Sequence, residues 1–201
     1  MDLLAGTDAP ALAKRLRERR KELGLTLKDV AGLSGLSFSF ISQVERGRTL
    51  PSITSLVALS KALQTSINAF LDQPRNGSID TREALRRPYA LGPGAASYER
   101  LSTTFPGSIL NSSIITEPPG RRTEPMSHEG EELIYMLEGA LTVEVADRVY
   151  VLAAGDSLHF DSRRRHVTWN HTDRPARMLH ACTMEYFNDE DGGEGGGERL
   201  R

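Results

Sequence analysis

The spacing of apolar residues changes once along this chain of 201 residues, and that change limits what it can fold into. From Ala11 to Leu71 apolar residues recur at intervals of three and four, as in Leu12, Leu16 and Leu23, which is the period of an amphipathic helix. From about Gly94 the pattern turns into short β-rich runs, "ILNSSIIT", "LIYML", "ALTVEV", "RVYVL", "SLHF", "HVTWN" and "ARMLHACTMEY", separated by Gly, Pro and Asp turns. The expectation is a two-domain α plus all-β chain, with an antiparallel barrel or sandwich in the second half. The polar segment "DQPRNGSIDTREALRRP" between them reads as a linker with room for one short helix.

Punctuation divides the first half further. Gly24 follows a first helix and Thr26 caps a second; Gly35 follows the second and Ser37 caps a third, "SFSFISQVERG". "TLPS" starts a fourth helix at Ser52, and "TSINAFL" makes a short fifth. Domain limits follow: residues 8–72 helical, 73–93 linker, 94–188 β domain, and 189–201 an acidic, Gly-rich tail unsuited to packing.

Charge is uneven along the chain. Residues 1–72 carry ten Lys or Arg against seven Asp or Glu, and the remainder fifteen against twenty. The basic residues cluster in "KRLRERRK" at 14–21. A basic helix ahead of two helices joined by "SGLS" has the layout of a helix-turn-helix, whose second helix enters a major groove while the first helix meets phosphates. No apolar run approaches the roughly 20 residues that a bilayer span needs, and "MDLLAGTDAP" lacks the features of a signal peptide, so a cytoplasmic location is expected. The one cysteine, Cys182, cannot form an internal disulfide and excludes a Cys-based zinc finger.

Over nearly all of residues 11–71, "LRERRKELGLTLKDVAGLSGLSFSFISQVERGRTLPSITSLVALSKALQTSINAFL" resembles the XRE family of phage-repressor-type helix-turn-helix domains. The resemblance implies a five-helix fold like that of lambda repressor, binding double-stranded DNA. It implies that Ser37, Phe38, Ser39 and Gln43 face the bases, Gln43 pairing with adenine and Phe38 covering a thymine methyl. Thr26, Ser42, Arg46 and Arg48 would sit near phosphates. Ile41, Val44, Ala31 and Leu56 read as core, Arg20 with Glu45 as a structural ion pair, and Phe40 as either packing or a second apolar contact.

The β half carries two spaced motifs. Gly120 is followed by Met126, His128, Glu132 and Gly139, and Gly155 and Asp156 by His166 and Asn170. Side chains two or four apart on a strand share a face, so positions 126, 128 and 132 can all point inward. These motifs resemble those of the cupin superfamily, whose double-stranded β-helix barrel holds a divalent metal with histidines and a glutamate. Met126 stands where the family has its first histidine; a thioether is a poor ligand beside imidazole and carboxylate, so Met126 reads as cavity lining. Asp161 and Arg163 stand where the family often has proline and glycine. The remaining ligands are His128, Glu132 and His166, enough for zinc with an open position, or for iron. A metal-free polar pocket is the other reading. Arg163 and Arg165 are candidates to meet a carboxylate in the pocket, whereas Glu129 and Glu131 at the rim suit a cation. Tyr135, Trp169 and His171 read as packing or surface residues, and His159 and His180 as lone structural histidines.

An XRE domain joined to a cupin domain resembles a class of bacterial one-component regulators. The resemblance implies a homodimer on a pseudo-palindromic operator, usually a repressor and not an enzyme, controlled by an amino acid, peptide or polyamine. The alternatives are a metal-dependent cupin enzyme of dioxygenase or isomerase type fused to a DNA-binding domain, and a DNA-binding antitoxin or scaffold with an inert β domain.

Overall fold

The structure is a computed structural model and describes residues 9–71 and 78–184. The tail expected at 189–201 lies outside the described residues, as does the first part of the expected linker. Four α-helices come first: α1 (Ala9–Glu22), α2 (Leu27–Ser34), α3 (Phe38–Val44) and α4 (Ile53–Ala62). Their starts and stops follow local chemistry. Thr26 and Asp29 form a reciprocal capping box at α2, Ser37 Oγ accepts from Phe40 N at α3, and Ser52 Oγ accepts from Ser55 N at α4. Gly35 closes α2 at φ 71°, a left-handed backbone that a side chain resists.

The expected fifth helix is instead a single 3-10 turn, Ile67–Ala69, capped by Ser66. Its span is too short to repeat the i to i+4 bond, and burial of Ile67, Phe70 and Leu71 holds it in place. Leu12, Leu16, Ile41, Val44 and Leu56 form the helical core, with Ala31 packed at its edge.

Among the described residues nine strands follow: β1 (Tyr89–Ala90), β2 (Ser97–Arg100), β3 (Asn111–Glu117), β4 (Glu131–Glu138), β5 (Ala140–Val145), β6 (Arg148–Ala153), β7 (Ser157–Asp161), β8 (His166–Trp169) and β9 (Ala176–Cys182). They pair antiparallel in two sheets, ordered β1-β2-β3-β9-β4-β7 and β6-β5-β8. The ladders thus form two sheets around one core, not a single closed ladder. Tyr89–Ala90, expected in the linker, is strand and core: Tyr89 is buried and stacks on Tyr98 at 5.6 Å. Two residues are too few for alternation to register. The short helix allowed for in the linker is a 3-10 turn, Glu83–Leu85.

Alternation decides which side chains reach the interior. In β4, Glu132, Ile134 and Met136 are buried while their neighbours face out; in β9, Ala176, Met178, His180 and Cys182 are buried. Between the two motifs, Met126 and His166 exchange both backbone hydrogen bonds, at 3.0 and 2.9 Å, which sets them opposite each other. Gly130 has φ 101°, and a Cβ there would collide with Thr183, so only glycine lets the chain pass between His128 and Glu132.

Candidate DNA-reading helix and candidate metal centre

The outer side of α3 presents Ser37, Phe38, Ser39 and Gln43 to solvent, with Phe38 49% exposed. Thr26, Arg46 and Arg48 are exposed nearby. Ser42 differs from the rest: it is buried at 8% and turned into the domain, since it shares the inward face with Ile41 and Val44. It therefore offers no surface to a phosphate.

Part of the basic cluster on α1 serves the fold. Arg20 forks Glu45 at 2.7 and 2.8 Å, joining α1 to the end of α3, as its sequence context suggests. Arg15 donates to the carbonyls of Ala69 and Phe70, and Arg19 to those of Leu63 and Gln64. These guanidiniums satisfy carbonyls left over at helix ends. Lys14, Arg17 and Lys21, with Arg46 of the loop after α3, border an open cleft and keep positive charge at the surface.

The second site gathers three histidines around one carboxylate. Glu132 Oε1 is 2.7 Å from His128 Nε2 and 3.4 Å from His166 Nε2, and its Oε2 is 3.2 Å from His180 Nε2. His128, Glu132 and His166 offer ligand atoms within 4.8 Å of one another. His128 Nδ1 lies 3.0 Å from the Glu129 carbonyl and His166 Nδ1 2.8 Å from that of Arg164. A carbonyl can only accept, so each neutral ring carries its proton on Nδ1 and turns the Nε2 lone pair toward Glu132. Lone pairs facing a carboxylate repel unless a proton or a cation lies between them; the donor set fits a divalent ion, with its outer hydrogen bonds already made.

Burial would raise the Glu132 carboxyl, but imidazoles that carry a proton on Nε2 as well, at His128, His166 and His180, hydrogen-bond it and hold it well below the usual carboxylate range. Burial opposes the charge on His166, while Glu132 and the Arg164 carbonyl raise it above the ordinary histidine value.

His180 belongs to neither motif, and the fold overturns its reading as a lone structural histidine. It sits on β9 opposite Ile134 of β4, and the alternation of Met178, His180 and Cys182 was the signal that it faces inward. His159 is exposed on β7 and pairs with Glu131 at 3.0 Å. Met126 lines the cavity as expected, buried at 4%, with its Sδ 3.9 Å from Ser55 Oγ. Arg163 and Arg165 do not line it. They lie exposed in the turn between β7 and β8, where Arg163 holds Asp161 at 2.8 Å. Asp161 also accepts from the Arg163 backbone, so an aspartate-closed turn replaces the expected proline and glycine. Asn170 is fully buried and spends its amide on the carbonyls of Glu117 and Arg174, a structural role. Arg122 covers the Trp169 ring at 4.3 Å.

The cavity beside Glu132 and His166 measures about 60 Å³ and is lined by Tyr98, Glu117, Thr123, Met126 and His180 from the β domain. Ser52, Ile53 and Thr54 of the helical domain complete the wall. On the other side of His128 lies an open cleft of about 680 Å³ between Leu33, Gly35, Ala58 and Lys61 of the helices and Glu129 and Met184 of the β domain.

Comparison with known proteins agrees with this division. Residues 16–70 match the helix-turn-helix family HTH_3 and residues 113–182 the cupin domain family. The chain is 29% identical over 183 residues to the HTH-type transcriptional regulator PuuR of Escherichia coli strain K12, covering 88% of this chain and 97% of that protein. It is 43% identical over 61 residues to the HTH-type transcriptional regulator DdrOP3 of Deinococcus deserti, covering 30% of this chain and 47% of the other. An HTH_3 family transcriptional regulator from Vibrio cholerae shares the fold, with a TM-score of 0.59 at 23% identity over 89% of this chain and 97% of that one. No helix among the described residues is long and apolar enough to cross a membrane. With an exposed helix-turn-helix followed by a cupin domain, this chain joins an HTH_3 domain to a C-terminal cupin and is homologous to the HTH-type transcriptional regulator PuuR.

Proposed function

We propose that the chain acts as a homodimeric repressor on a pseudo-palindromic operator, its affinity set by a small metabolite of amino-acid, peptide or polyamine class bound in the cupin cavity. The observation that carries this reading is the shared wall: residues of α4, which packs against α2 of the reading unit, line the same cavity as Glu132 and His166. In this reading Ser37, Phe38, Ser39 and Gln43 read bases, while Thr26, Arg46 and Arg48 stand against phosphates. Two copies set their recognition helices about 34 Å apart, one helical turn of DNA.

His128, Glu132 and His166 would hold zinc, which when bound supplies an open position for a donor atom of the effector. His180 fixes the second oxygen of Glu132. Of the two carboxylates in the cavity lining, Glu117 is already paired with Arg121 at 2.7 and 2.9 Å and Glu132 faces the histidines, so the open metal position is what the site offers to an effector. The cupin then serves as a sensor, not as an enzyme, in keeping with the regulators that the chain resembles over its length.

Thermal unfolding of the full chain against amino acids, dipeptides, polyamines and organic acids, with zinc or with chelator, tests this, because a ligand of the folded state stabilises by mass action. One chemical class raising Tm only with zinc supports the metal-centred sensor. A shift that survives chelation removes the metal, and no shift with any class removes the sensor.

A further inference from the structure

The cavity beside Glu132 is closed by the DNA-binding domain itself. At about 60 Å³ it has room for an ion with its water, whereas pockets for metabolites measure on the order of 300 Å³ or more. Anything of metabolite size therefore requires a wall to move. Most of the wall belongs to paired strands, whose displacement would break ladder hydrogen bonds. Thr123 and Met126 lie outside the strands but are bonded to β8 through the backbone carbonyls of Thr168 and His166; Ser52, Ile53 and Thr54 belong to no ladder, being the first turn of α4 and reaching the cavity from another domain.

The β domain holds that turn by its helix-end amides. Glu124 Oε2 accepts from Ser55 Oγ at 3.0 Å and from Ser52 N at 3.4 Å, and the Tyr98 hydroxyl accepts from Ile53 N at 3.4 Å. The first N–H groups of a helix lack partners within it, and a carboxylate there is favoured by the helix dipole. Most helices meet this need with a neighbouring side chain; here Ser52 caps Ser55 N, and the β domain supplies Glu124 and Tyr98. Tyr98 is fully committed to this place, stacked on Tyr89. The latch is thus made of a few hydrogen bonds, two of them long, set over a cavity wall. The recognition residues Phe38 and Gln43 face solvent while it is closed.

We propose that the first turn of α4 is the lid of the cupin cavity, latched by Glu124 and Tyr98, and that a metabolite enters only by displacing it. Displacement moves α4 and with it α2 and α3, so it changes the direction of the recognition helix relative to the cupin. The coupling to DNA rests on the sensor reading above; the lid itself rests on geometry and is tested without DNA or effector.

Met126 reports the lid. Its sulfur faces Ser55 Oγ and it is shielded by the latched turn, while Met136 is fully buried within the β core and serves as the internal reference. The experiment is the rate of methionine oxidation by hydrogen peroxide in the full chain, read by peptide mass, for wild type, Glu124→Ala, Tyr98→Phe and Ser55→Ala. Cutting the latch in Glu124→Ala is expected to speed oxidation of Met126 about tenfold, the scale of losing charge-assisted hydrogen bonds, with Met136 unchanged. Ser55→Ala is expected to give a smaller rise and decides the matter if Glu124→Ala does not fold. Met126 remaining at the wild-type rate, or Met126 and Met136 rising together, overturns the lid. A fast Met126 in variants whose DNA affinity no metabolite alters keeps the lid and removes the sensor reading.

Discussion

Gln43 and its supporting cap Ser37 lie on one seven-residue helix and its flank, whereas Glu132 meets His180 only across 48 residues of chain and two strands. The helical domain builds its surface from neighbours in sequence; the β domain builds its site from residues that only sheet register brings together. A surface assembled locally survives small changes in tertiary packing, while a site assembled by register depends on every strand that places it. The difference also affects energetics. Around α3 the buried charge is one pair, Arg20 with Glu45, whereas beside the cavity three imidazoles from different parts of the chain converge on the Glu132 carboxylate.

The contrast can be broken by variants, beginning with the largest effect. Arg20→Ala leaves Glu45 nearly buried without its partner and should lower the stability of the helical domain by about 3 kcal/mol, read by urea unfolding. A loss below about 1 kcal/mol, the scale of an exposed pair, would mean that this domain is held by local structure alone. Gln43→Ala should weaken operator binding by roughly 1 to 3 kcal/mol and spare random DNA. Equal losses on both would take Gln43 out of base reading.

His180→Ala tests the other side. If His180 orients Glu132, zinc affinity by calorimetry should fall about tenfold to a hundredfold, the usual effect of losing an orienting partner, and His180→Gln should recover part of it. Unchanged affinity would leave His180 as packing. Arg163→Ala should do least: zinc binding and ligand response stay as in wild type, because Arg163 points away from the cavity. Its signature lies in pH dependence. Arg163 holds the Asp161 carboxyl at about 2, so the pair contributes above the unfolded value of roughly 3.9 and the contribution is lost as pH falls toward 2. The variant should flatten stability over that acidic window and nowhere else; a change near neutral pH would give Arg163 a further role.

Much of this was legible in the sequence where chemistry is local. Thr26, Ser37 and Ser52 cap helices because their hydroxyls reach amides two or three residues on, and Gly35 ends α2 because its backbone is left-handed. Strand alternation allowed Glu132 to point inward, and the resemblance of the two motifs to the cupin pattern nominated His128 and His166. The fifth helix shrank to a turn because too few residues separate Ser66 from the buried Phe70 and Leu71. Ser42 looked like a surface hydroxyl until its neighbours Ile41 and Val44 took it into the core. Arg163 and Arg165 stand next to His166 in sequence, but a strand begins between them, so the histidine turns in and the arginines stay out.

The sequence by itself determined the order of elements, their caps and the exposed side of α3, because hydrogen bonds between near neighbours and the periods of helix and strand are properties of short segments, and the resemblance of its motifs pointed to two of the three histidines near Glu132. Only the tertiary structure decided that His180 joins Glu132, and that Glu124 and Tyr98 cap a helix of the other domain over a cavity of about 60 Å³. Those contacts depend on sheet register and domain packing, where free energy comes from burying whole surfaces and no short stretch of chain records which residues will meet.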